Sequence, residues 1–200
     1  MRSWGFSGEV GEWHRELEVP TGLSAVDVSV WVASTVERAV GTLHRPHGLQ
    51  VSWLEYDDTG TELAFHELDE LPASSWGDVA QQLRSLGPSV AVSAVFLNLD
   101  TDVIDLGWVP DAGTLQWSIA PPEGTVSSVY VSYSTAIDVW LTATYDEHGN
   151  ARPNKAAAAN RPRLESAIAA LGVSGGTSRP YPSVITNGGF ADVSDLPPKR

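Results

Sequence analysis

The stretch "GLQVSWLEYDDTGTELAFHEL", residues 48–68, decides how the chain is read. An apolar run rich in strand-forming residues ends in Tyr56-Asp57-Asp58-Thr59-Gly60, and a second apolar run follows. Asp folds its side chain back onto the backbone and Gly tolerates positive φ, so the acids and Gly60 are turn chemistry. The segment predicts two strands closed by a hairpin. In "SSWGDVAQQLRSLG" (74–87), Trp76, Val79, Leu83 and Leu86 then share one helical face, and Gly87 ends it.

Working outward, "WHRELEV" (13–19) sets Trp13, Leu17 and Val19 against His14, Glu16 and Glu18, the two-residue period of a half-buried strand. From 24 to 43 the apolar residues recur every three or four positions, predicting a helix capped by Ser24, with Pro46 in the loop that ends it. Downstream lie five strand candidates: "SVAVSAVFLNL", "DVIDLGWV", "GTLQWSI", "SSVYVSYS" and "IDVWLTATY". "PDAG" (110–113) and "PPEG" (121–124) read as turns between them. "NRPRLESAIAALG" (160–172) reads as a helix with Asn160 as N-cap, Pro162 near its first turn and Gly172 past its end. These elements predict one α+β domain over 1–174: a mainly antiparallel sheet of about six to eight strands with three helices packed on it. Residues 175–200, rich in Gly, Pro and Ser, read as a tail.

The hairpin has an echo. "WLEYDDTG" (53–60) and "WLTATYDEHG" (140–149) both lead through Tyr-Asp to a helix closed by Leu-Gly, pointing to an internal duplication of 48–87 and 136–172. The period is too long for a solenoid.

Composition excludes more than it names. Twenty-five acids against twelve bases give a formal charge of −13, which argues against a phosphate-binding footprint for nucleic acid. The plainer reading of the acidity is a surface that keeps the protein dispersed, and the second is one that attracts a basic protein partner. With no cysteine, disulfides, thiolate metal sites and cysteine nucleophiles are absent. The N-terminal residues 1–16 lack a continuous apolar run and carry Glu9, Glu12 and Glu16, and no stretch reaches the length of a membrane span. A cytoplasmic protein is expected.

"DDTGTE" puts Gly60 too early for a calcium loop, and "DEHGNA" has no distal Glu. Asp100, Asp102 and Asp105 of "LDTDVID" read as a solvated turn. "GVSGG" (172–176) matches Gly-x-Ser-x-Gly but follows a helix, and no histidine follows Ser174. Phosphate-loop and dinucleotide signatures are missing, and the two lysines, Lys155 and Lys199, give no candidate Schiff base. His44 and His47 flank Pro46 in a loop, where a helix-terminal histidine beside a Pro turn is the commoner reading; with His66 and neighbouring Glu67 they form a set that strand pairing could bring together as a metal site. No cofactor is expected.

In its acidic balance, its size and the run "IDVWLTATYDEHGN…NRPRLESAIAALG", the chain resembles single-domain immunity proteins of bacterial polymorphic toxin systems. The resemblance is one of general character, without a diagnostic motif. It implies a non-catalytic inhibitor that covers the active site of a cognate toxin, with Asp57, Asp58, Asp146 and Glu147 at turn tips and an exposed Trp108 as contacts. The alternatives are a small metal-dependent hydrolase using His44, His47 and His66, and an assembly subunit docking through its tail.

Overall fold

The computed structural model of the chain describes residues 11–56, 61–87, 90–119, 128–140, 143–145, 151–173 and 181–183. In chain order these form β1 (Gly11–Glu18), α1 (Ala25–Val40), β2 (His44–Tyr56), β3 (Glu62–Pro72), α2 (Trp76–Ser85), β4 (Ala91–Val103), β5 (Gly107–Ile119) and β6 (Ser128–Thr135). A 3-10 turn (Asp138–Trp140), β7 (Ala143–Tyr145), β8 (Ala151–Pro153), α3 (Lys155–Val173) and β9 (Tyr181–Ser183) complete the order. The expected α+β fold is the observed one: a seven-stranded antiparallel sheet in the order β3-β2-β4-β5-β6-β1-β9, with three helices. A second sheet of two strands pairs β7 with β8.

Alternation along the strands builds the core. Val95, Leu97 and Leu99 of β4, Leu115 and Trp117 of β5, and Val129, Val131 and Tyr133 of β6 are buried on one face. Against them α1 sets Val28, Val32 and Val36, all buried. The helix starts where Ser24 Oγ accepts the N–H of Asp27 at 3.1 Å, a cap that satisfies one of the orphan donors of its first turn. Helix α1 lies centrally, touching β4 and both other helices, while α2 lies over β2 and α3 reaches β1.

Four expectations are corrected. His44, Pro46 and His47 lie in β2 rather than in a loop; β3 stops at Pro72 opposite Gly48, so β2 is paired on one side only at Pro46, where a missing N–H costs little. "PDAG" does not turn the chain but sits as an irregularity inside β5, with Asp111 at φ 50. Asp100 and Asp102 belong to β4, and the turn that follows is built on Asp105 at φ 71 and Gly107 at φ 74. Finally, α3 begins five residues earlier than the Asn160 cap signal, because "KAAAA" extends it; Asn160, Pro162 and Gly172 are internal.

Each half of the sequence echo is a hairpin followed by a helix. The first hairpin, β2–β3, is part of the large sheet, whereas Trp140 lies in the 3-10 turn and β7–β8 is a sheet of its own. Part of the tail, Tyr181–Ser183, pairs with β1.

Candidate interaction site

The β4–β5 hairpin presents Ile104, Leu106 and Trp108 at one tip, 41%, 49% and 43% exposed. Large apolar side chains clustered on a tight turn are costly to leave in water, and such patches mark contact surfaces. The tip is also braced. Leu106 N–H donates to the Val103 carbonyl at 3.0 Å, and Ile104 N–H donates to Asn160 Oδ1 of α3 at 2.8 Å. Arg163, one turn along α3, donates to the Asp102 backbone carbonyl at 2.9 Å and to its carboxylate at 2.7 Å.

On the other side, Asp100 anchors the base of the hairpin. Its nearly buried carboxylate accepts from Arg45 Nε at 3.1 Å and from the Asp111 N–H at 3.4 Å, and Arg45 Nη2 lies 3.0 Å from the same carboxylate in the ion pair. The Arg45 guanidinium in turn lies over the Trp108 ring, 4.6 Å from its centroid. A cation over an indole face is attracted by the ring quadrupole, so Arg45 orients Trp108 as well as neutralising Asp100. His47 Nδ1 stands 3.6 Å from Asp100 Oδ1, too far for a hydrogen bond. Arg45, His47, Ser74 and Asp100 line a cleft of about 310 Å³ beside the tip.

Beneath lies a polar knot. His44 is fully buried; its Nδ1 meets Thr101 Oγ1 and its Nε2 meets the Tyr133 hydroxyl, each at 2.8 Å. Trp76 Nε1 donates to the His44 carbonyl at 3.3 Å, and Trp140 Nε1 to Thr135 Oγ1 at 2.9 Å. Burial pushes the His44 imidazole down to about 3, and likewise raises the Tyr133 phenol far above its ordinary range. The ring is therefore neutral at physiological pH, with both nitrogens committed to hydroxyls.

The three histidines do not converge. His66 pairs across the sheet with Trp53, nine residues along β2 from His44, roughly 30 Å at strand rise. There it stacks on Trp53 with ring centroids 5.1 Å apart and binds Glu55 at 2.8 Å. Among the described residues no group of three His, Asp or Glu side chains is placed to hold a metal ion.

Of the contacts expected from sequence, Trp108 is exposed and oriented, while Asp57, Asp58, Asp146 and Glu147 lie outside the described residues. Sequence reasoning missed Ile104, Leu106, Arg45, Asn160 and Arg163. A signal for the first two was present: "VIDLGW" places apolar residues at alternating positions around Asp105-Leu106-Gly107, a turn with a greasy surface. No helix among the described residues is long and apolar enough to cross a membrane. No family model, curated protein or solved structure matches the chain.

Proposed function

We propose that this chain is a non-catalytic protein-binding protein of the inhibitor or immunity kind, docking a basic protein partner through the tip of its β4–β5 hairpin. The observation that carries this reading is the exposure of Ile104, Leu106 and Trp108 on a turn held from both sides by Arg45, Asn160 and Arg163. A rigid apolar tip loses little entropy on binding, and a central tryptophan is the commonest energetic anchor of an interface. Around it stand four carboxylates, Asp100, Asp102, Asp105 and Asp111, against two guanidiniums, Arg45 and Arg163. With the formal charge of −13, this balance favours a basic partner and speeds its capture.

The test is co-expression with each polypeptide encoded beside the chain, followed by calorimetry at two salt concentrations. Trp108→Ala should weaken the complex about 30-fold or more, the scale of a hot-spot truncation. Neutralisation of a toxic neighbour, lost with the same variant, would identify the immunity role. A complex indifferent to substitution at 104, 106 and 108 would overturn the reading.

A further inference from the structure

A second surface lies at the opposite end of the sheet and does not depend on the hairpin tip. Strand β3 is the terminal strand of the seven, and among the described residues its one strand partner is β2. The outer edge of such a strand presents every second backbone N–H and C=O to solvent, a template for another strand. Proteins usually blunt such edges by keeping them short, by bulges or by proline. Here the bulges come at the two ends: the register slips between Leu49 and Val51 and again between Glu55 and Tyr56 of β2. Between them, Ala64 through Leu68 pair without interruption opposite Glu55 through Val51. This regular window is long enough for a short added strand. His66, stacked on Trp53 and bound to Glu55, ties its middle to β2.

The side chains on this edge are not those of a protected one. Leu63 and Phe65 are both 59% exposed, the most exposed large apolar side chains among the described residues. Phe65 lies inside the window and Leu63 at the bulge just before it, within reach of the cross-strand neighbours that an added strand would bring. Charge then decides between occupants. The strand sequence "ELAFHELDELP" contains Glu62, Glu67, Asp69 and Glu70 and neither Lys nor Arg. Pairing with β3 of a second copy would set carboxylates beside carboxylates, which is destabilising, whereas Lys or Arg on an incoming strand is favoured. The same acids that keep the edge from pairing with itself select its partner.

We propose that the outer edge of β3 is a strand-addition site for an extended, basic segment of a protein partner, in which Lys or Arg alternates with apolar residues that cover Leu63 and Phe65.

The probe is a capped heptapeptide alternating Lys and Val, titrated to millimolar concentration into the isotopically labelled full chain, with its Glu-Val counterpart as control. The expected result is that amide shifts and slowed hydrogen exchange appear along 63–68 with the Lys peptide alone. In the double variant Glu62→Lys, Glu67→Lys, whose fold is checked by circular dichroism, the Lys peptide should bind at least tenfold more weakly and the Glu peptide should gain binding. Trp108→Ala should leave both results unchanged. No shifts on β3, shifts spread over acidic surface without protection of 63–68, or equal binding of both peptides would each overturn the proposal.

Discussion

The two ends of strand β2 handle histidine in opposite ways. At its start, His44 is sealed in the core, neutral, and bound at both nitrogens by Thr101 and Tyr133. At its far end, His66 lies at the surface across from Trp53, held by a ring stack and one exposed carboxylate. The first arrangement fixes the base of the β4–β5 hairpin, so that apolar side chains can stand out from it without the turn collapsing onto them. The second leaves a regular strand edge in contact with water. One end is a braced platform and the other an open template, and the same sheet supplies both.

That contrast breaks first under substitution of its two histidines. His44→Ala should lose about 3–4 kcal/mol, because it opens a cavity and removes the buried bonds of the imidazole to Thr101 and Tyr133. His66→Ala should stay within about 0.5 kcal/mol, as for other exposed pairs. Denaturant unfolding of the two variants measures this, and comparable losses would dissolve the distinction.

Acid sharpens it. Burial lowers His44 from 6.5 to about 3, so between those pH values the unfolded chain binds a proton that the folded chain refuses. Stability should fall as pH drops through that window, by a few kcal/mol in all, and level off below it. In a thermal-unfolding series His44→Gln should have a flatter profile there, and an unchanged slope would contradict the assignment.

Smaller effects are expected at the braces. Arg163→Ala should cost about 1 kcal/mol, discounted for the partial exposure of both partners, and should speed amide exchange at 104–106 while leaving 63–68 alone. Arg45→Gln should cost about 0.5 kcal/mol and shift Trp108 emission to the red, since it removes the cation over the ring. Emission unchanged by Arg45→Gln would show that the indole is oriented by something else.

Much of the fold was legible because its signals are local. Ser24 caps α1, as its place just before the apolar periodicity indicates. The β2–β3 hairpin follows from the pattern of 48–68. What was misread depends on partners far along the chain. Asp100 and Asp102 looked like a solvated turn because their neutralising groups, Arg45 and Arg163, lie 55 and 61 residues away. Asn160 carried a cap signal, yet four preceding alanines extend the helix past it, and its side chain instead accepts the Ile104 N–H. Pro46 looked like a breaker because sequence does not show that β3 stops short of it. At the candidate site, Trp108 could be named as an exposed aromatic, but its orientation by Arg45 could not, since nothing local links them.

The most direct measurement is the affinity of the chain for a partner protein with and without its tip: wild type against the triple variant Ile104→Ser, Leu106→Ser, Trp108→Ser, by calorimetry, with both shown to unfold at the same denaturant midpoint. The variant should fold as well as wild type and lose at least 100-fold in affinity. A variant that folds and binds as wild type would contradict docking through the tip.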